Sequence, residues 1–195
     1  MKKYGVILAD PPWQYRVKNK SGVAENHYHT MSAGELGALP IQDMAADDSV
    51  LLLWCTWPQL EVGMKLIDAW GFKYITGMPW VKIQGLPQVD LFGDLRIKPA
   101  WGIGFWIRGA TEPILICRKG KAKPPDFDWV GLICERMQHS RKPDNLHEYA
   151  ETLPGPYLEL FARRRRPGWD AWGNEVDSDI VLTPAADGRI ILGGR

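Results

Sequence analysis

The sequence predicts an α/β domain: a mostly parallel sheet with helices on both faces. Three observations carry this. Short uncharged or nearly uncharged apolar runs recur along the chain, as strands buried on both faces require. Helical patterns stand between several of them, which is the signature of crossover connections. The 195 residues are 45% hydrophobic, enough for one well-buried core and too few for two comfortable ones, so the chain reads as a single domain over 1–195.

Tyr4–Ala9 is the first strand, and Asp10-Pro11-Pro12 stops it. Residues 14–30 are mostly polar, carry Arg16, Lys18 and Lys20, and read as a loop. Ser32 followed by Glu35 is a capping-box pattern opening a short helix to Ala38. Val50–Cys55 is a second buried strand. Pro58 marks a helix start, Leu60, Met64 and Ile67 recur at helical spacing, and Gly71 ends the helix. Phe72–Lys82 is a third strand. Residues 85–109 hold five Gly, two Pro, Trp101 and Trp106, and form a loop region inserted around 83–109. A stretch of that length without periodicity in a compact domain points to function. Pro113–Cys117, Val130–Cys134 and Tyr157–Ala162 are further strands, Pro143–Thr152 is a helix, and Ile180–Leu182 is a last candidate strand.

Composition excludes several classes. Lys and Arg number 24 against 23 Asp and Glu, a net charge of +1, so no global field announces a nucleic-acid or membrane partner. Cys55, Cys117 and Cys134 are odd in number and widely spaced, which rules out a disulfide scaffold or CxxC knuckle and suits a cytoplasmic protein. The longest apolar run, Val50–Cys55, is far too short for a membrane span, and the apolar start lacks a cleavage site. Ten Trp suit a protein that handles planar ligands.

Asp10-Pro11-Pro12-Trp13 is the most informative tetrapeptide. Two prolines remove N–H donors and fix φ, so the chain leaves the strand in a rigid extended form. A carboxylate with nearby carbonyls is a receptor for an NH2 group, and Trp13 offers a ring to stack. The combination describes a pocket for an amino-bearing heterocycle such as adenine. In parallel sheets ligands sit at the carboxyl ends of the strands. Asp10–Trp13, Thr56-Trp57 and Arg163–Arg166 should therefore meet at one crevice.

From residue 6 to 175 the sequence resembles the MT-A70 family of S-adenosylmethionine-dependent adenine-N(6) methyltransferases. The resemblance rests on Ala9-Asp-Pro-Pro-Trp13, Tyr28-His-Thr-Met-Ser32, Leu53-Trp54, Trp70-Gly-Phe72, Trp80-Val-Lys82, Glu112, Ser140-Arg-Lys-Pro-Asp144, Glu159-Leu-Phe-Ala-Arg163, and Gly168-Trp169 with Gly173-Asn-Glu175. It implies a Rossmann-like methyltransferase fold in permuted order, with the catalytic strand first. It implies that Asp10 and the Pro11 carbonyl, within the Asp10-Pro11-Pro12-Trp13 catalytic segment, hold the target amino group. It places Asp10 also beside the cofactor's amino-acid end, Lys142 on the cofactor carboxylate, and Arg163, Asn174 and Glu175 on its ribose. Tyr28, Trp80 and Glu112 fall on the substrate side. Glu175 departs mildly from the family, which can carry Gln there.

Arg164 to Arg166 read either as a solvated turn or as phosphate contacts. With Lys119, Lys121 and Lys123 they would form a basic rim. Trp169 and Trp172 are expected in the core, and Trp101 and Trp106 facing nucleic acid. His27 and His29 lack companion ligands, and no metal is expected. DNA is favoured over RNA as the substrate because no zinc finger, extra basic domain or large amino-terminal extension is seen. Residues 177–180 or a neighbouring subunit, as in a homodimer, should complete the cofactor's adenine pocket. An RNA methyltransferase, a non-catalytic partner subunit and a small-molecule methyltransferase are the alternatives.

Overall fold

The computed structural model describes residues 2–14, 30–102, 106–126, 129, 131–136, 141–184 and 190–193. Its strands are β1 Tyr4–Ala9, β2 Ala45–Trp54, β3 Lys73–Ile83, β4 Gln88–Val89, β5 Leu95–Arg96, β6 Thr111–Lys119, β7 Leu132–Glu135, β8 Tyr157–Leu160, β9 Trp169–Trp172, β10 Val181–Pro184 and β11 Ile190–Gly193. Its helices are α1 Ala33–Gly37, α2 Ile41–Met44, α3 Leu60–Ala69 and α4 Asn145–Glu151, with a 3-10 turn at Trp57–Gln59 before α3.

Seven strands form one sheet in the order β7-β3-β6-β2-β1-β8-β9. β1, β2, β8 and β9 run parallel, as do β3 and β7, while β6 is antiparallel to both of its neighbours. The α/β fold with a mostly parallel sheet is as the sequence predicts, and it is consistent with a Rossmann-like methyltransferase fold.

Alternation along β1 and β2 explains the layers. Ile7, Ala9, Leu51 and Leu53 face one way, onto Leu36 of α1 and Leu66 and Ile67 of α3. Val6, Leu8, Leu52 and Trp54 face the other way, onto Leu146, Tyr149 and Ala150 of α4. Burial on both faces is why these strands carry no charge at their centres. Each buried Leu or Ile is worth about 1.5–3 kcal/mol, whereas an exposed pair such as Lys65–Glu61 on α3 is screened by solvent and contributes little. Packing therefore fixes α3. Its end is set by Gly71, which adopts φ +76°. The α1 capping box is present in full: Ser32 accepts from the Glu35 N–H, and Glu35 accepts from the Ser32 N–H.

Several elements differ from expectation, among them α2 and β11, which the sequence pattern does not predict. The 85–109 region contains the β4–β5 hairpin, whose turn is built on Asp90 accepting from the Phe92 and Asp94 N–H groups and pairing with Arg96. Trp169–Trp172 is an edge strand, too short and too polar at Asp170 to show as one in sequence. The last strand pairs with β11 in a separate hairpin rather than joining the sheet. The chain before that hairpin is fastened to β9. Asp179 donates its N–H to the Ala171 carbonyl and accepts from the Ala171 N–H. The Ser178 hydroxyl accepts from Gly173, and Arg165 grips Asp179 at 2.8 Å.

Gly173 follows β9 where it touches the end of β8, and a Cβ there would lie 2.1 Å from the Ala162 carbonyl oxygen. Gly173→Ala should destabilise the protein by roughly 2–4 kcal/mol in urea unfolding. Gly34→Ala, in α1 with its nearest outside atom at 3.9 Å, should be neutral or stabilise by up to about 1 kcal/mol.

Candidate active site

The strand alternation that builds the α4 side of the core also builds the site. Continuing past Val6 and Leu8, the next residue of that parity is Asp10, just beyond the carboxyl end of β1. On β3 the same parity runs Met78, Trp80, Lys82. Because β6 is antiparallel, its first residues lie at this same end, with Glu112 opposite Trp80. Lys142 approaches from the segment leading into α4. Four charged side chains, each at most 25% exposed, are thereby gathered at the carboxyl end of the sheet.

Their signs alternate. Lys142 Nζ lies 3.1 Å from Asp10 Oδ1 and 3.4 Å from Glu112 Oε2, and Lys82 pairs with Glu112 Oε1. Two indoles back the cations: Lys142 Nζ is 5.3 Å from the Trp54 ring centroid and Lys82 Nζ 4.9 Å from that of Trp80. The two rings meet edge to face at 5.7 Å.

The two carboxyls behave differently. Burial pushes Asp10 above the ordinary aspartate range, outweighing the pull of Lys142, and Glu112 pushes the same way. Burial also opposes ionisation of Glu112, but Lys142 and Lys82 together overcome it and hold Glu112 below the ordinary range. Burial opposes the Lys142 charge, yet Asp10 and Glu112 more than offset that, and its ammonium is held above the usual lysine value. The carboxylate between two ammoniums is held in its charged form, and the one beside a single ammonium is held there less firmly.

Asp10, Glu112 and Lys142 are thus brought together. Arg163 lies at the end of neighbouring β8, 3.7 Å from Glu175. Asn174 and Glu175 follow Gly173 on the adjacent turn. Trp57 fastens the crevice wall, its indole N–H donating to Thr111 at 2.9 Å. Tyr28 lies outside the described residues, as do His27, His29 and Ser140.

Several expectations need correction. Trp13 is only 6% exposed and packs in the α1–α3 core; an indole after Pro-Pro was needed for packing, not as an open stacking face. The Pro11 carbonyl already accepts from the Trp13 N–H at 2.8 Å, with one lone pair remaining, and the Pro12 carbonyl accepts from Met31 at 2.9 Å. Trp80 is buried behind Lys82 and has no face open to a base. Lys142, expected on the cofactor carboxylate, also bridges Asp10 and Glu112, and nothing in that arrangement overturns the expectation.

The basic rim does not assemble. Arg164 pairs with Asp144, Arg165 with Asp179 and Arg166 with Glu151. Lys119 pairs in register with Ser49 and lies at the opposite end of the sheet. Trp169 and Trp172 pack against the core as expected. Trp101 and Trp106 stand 53% and 98% exposed in the inserted region.

Two features were missed. Lys82 was signalled by its two-residue spacing from Trp80, which puts both on one strand face. Phe161, just past β8, has φ 62°, a left-handed conformation that costs a bulky residue about 1–3 kcal/mol. It is held by edge contact with Trp172 at 5.3 Å and by the Ala162 N–H donating to the Trp172 carbonyl at 2.9 Å.

A family model described as MT-A70 matches residues 4–175. The type II methyltransferase M.MunI of Mycoplasma sp. is 32% identical over 210 residues, covering 94% of this chain and 82% of that protein. The human N(6)-adenosine-methyltransferase catalytic subunit METTL3 is 30% identical, covering 93% of this chain and 30% of that protein. The N(6)-adenosine-methyltransferase MT-A70-like protein of Drosophila melanogaster is 29% identical over 93% of this chain and 28% of its own length. The chain thus spans under a third of these two animal relatives.

The unequal carboxyls set opposite pH signatures. A carboxyl raised by folding keeps a proton that the unfolded chain has lost, so stability falls as pH climbs from about 3.8 through the folded value and stays lower above it. Asp10→Asn removes that penalty, so its urea midpoint should gain on the parent protein at neutral pH and lose the gain below about pH 3.8. Glu112, lowered by folding, stabilises above about pH 4.5 and loses this as pH falls through its folded value. Glu112→Gln should therefore cost stability at neutral pH and little in acid. A destabilised Asp10→Asn protein at neutral pH would contradict the assignment.

Proposed function

The chain belongs to the MT-A70 family, and we propose that it methylates the exocyclic N(6) amino group of adenine in DNA, with residues 1–195 acting as one methyltransferase domain. The family uses S-adenosylmethionine as methyl donor. The observation that carries this reading is the Asp10–Lys142–Glu112–Lys82 charge chain at the carboxyl end of the sheet. Burying ions costs several kcal/mol each even when they are paired. An adenine amino group is a use for that arrangement.

The residues present fit the donor. A molecule with a carboxylate, a sulfonium and a ribose needs a cation, an anion and hydroxyl acceptors. Lys142, Asp10, and Asn174 with Glu175 supply these in adjoining segments, and Arg163 braces Glu175. Lys142 has a second task on this reading, since it also tethers both carboxylates. When bound, the donor supplies a methyl group on positively charged sulfur, open to a nitrogen lone pair.

The protein's part is to make the amino nitrogen receptive. Its lone pair is shared with the ring, so it is a poor nucleophile. Asp10 Oδ1 faces Lys142, and Oδ2 accepts one amino N–H while the remaining lone pair of the Pro11 carbonyl accepts the other. These two bonds favour a pyramidal nitrogen with a localised lone pair. Pro11 and Pro12 keep the acceptors still, so little reorganisation is needed at the moment of reaction. Glu112 holds Lys142 in place. The surplus proton leaves the nitrogen after transfer rather than before it, with Asp10 serving as a hydrogen-bond acceptor more than as a base. A target inside a duplex must be flipped out to reach Asp10.

The preference for DNA is supported by the 32% identity to the type II methyltransferase, which runs over 94% of this chain. RNA is the second reading, favoured by the 30% identity to METTL3. Incubation with donor and either polymer, followed by digestion and mass spectrometry, should yield N(6)-methyldeoxyadenosine. Asp10→Ala should lower the rate by about 10²–10³-fold or more. Product on RNA alone would reverse the polymer choice; product on neither would refute methyl transfer.

A further inference from the structure

A cavity of about 510 Å³ opens at the ends of β3 and β7, outside the Asp10 cluster. That volume is within the roughly 300–1,000 Å³ of ligand sites. Its floor is Ile83 and Pro99, paired in an isolated bridge, and its walls carry Gln84, Lys98, Trp101 and Arg136. The backbone around it is fixed. Gln84 donates its N–H to the Lys98 carbonyl at 2.8 Å, and Arg136 donates to that of Ile83 at 2.9 Å. Glu135 also lines it, alongside Lys98 and Arg136.

Its chemistry is that of a nucleotide site. Trp101 is an exposed indole with the Arg108 guanidinium 4.0 Å from its ring centroid. A ring covered by a cation on one face leaves the other for stacking, and base–aromatic stacking is worth about 1–3 kcal/mol. The side-chain amide of Gln84 can both donate to and accept from a base edge, and Lys98 and Arg136 suit phosphates.

Its position says which nucleotide. Ala100, in the wall, donates its N–H to the Lys82 carbonyl at 2.8 Å, while the Lys82 ammonium pairs with Glu112. One residue of β3 thus joins the cavity to the charge chain, and a strand rises about 3.3 Å per residue. We propose that the cavity takes the base next to the target adenine, stacked on Trp101, so that it sets the sequence context of methylation. This rests on the nucleic-acid reading above and adds a second base site to it.

The test uses binding rather than turnover. Fluorescence anisotropy would follow a short fluorescein-labelled deoxyoligonucleotide with one central adenine, and versions abasic on the 5′ or the 3′ side of it. Trp101→Ala should weaken binding of the intact strand about tenfold, within the stacking range, and Trp101→Phe should recover most of it. Removing the base on one side should cause a similar loss in the parent protein and no further loss in Trp101→Ala, the signature of a shared contact. Unchanged binding in Trp101→Ala, or losses that add for both abasic strands, would overturn the cavity assignment. Calorimetry with S-adenosylmethionine checks that the variant is folded. The two readings fail separately. Methylation of DNA with unchanged Trp101→Ala binding sinks the cavity alone. The expected binding pattern without methylated product sinks methyl transfer alone. No binding by the parent protein overturns both.

Discussion

The bond between Lys142 and Asp10 is the constraint on which the site depends. A buried carboxylate without it would simply take up a proton and cease to accept hydrogen bonds from an amino group. Lys142 pulls the Asp10 carboxyl toward its charged form, while burial and Glu112 on the same ammonium push it the other way. Lys82 completes the balance by securing Glu112. The tension at Asp10 is what a reactive centre needs; the security at Glu112 is what keeps the tension in place.

Sequence and fold agree where local physics decides. β1 and β2 were legible because strands buried on both faces must be uncharged, and α1 because its cap is chemical and local. The direction of β6 was not legible, since a strand reads alike both ways. That direction brings Glu112 to Asp10 across a hundred residues of chain. The partners of Arg164 to Arg166 were invisible for a related reason: Asp144, Glu151 and Asp179 become neighbours only after folding. Trp13 was misread because a lone aromatic beside a motif can serve packing as readily as recognition, and the α1–α3 core claims it.

Strain is placed where it orients a side chain. Phe161 turns the backbone at the end of β8, and its left-handed geometry is sustained by Trp172 on one side and by the close approach of Ala162 and Gly173 on the other. Arg163 leaves that elbow in a fixed direction, toward Glu175. Edge strand β9, hidden in the sequence, is thereby part of the site's scaffold.

The fastening of residues 178–179 along β9 has a further consequence. A sheet's outermost strand ordinarily offers a row of free amide and carbonyl groups to any other chain, and so invites fibre growth. Here Asp179 occupies both backbone groups of Ala171, Ser178 takes the amide of Gly173, and the grip of Arg165 keeps them there. The run of arginines that looked like a handle for polyanions includes the rivet of a blunted rim, protecting the molecule from polymerising with its own kind on that side.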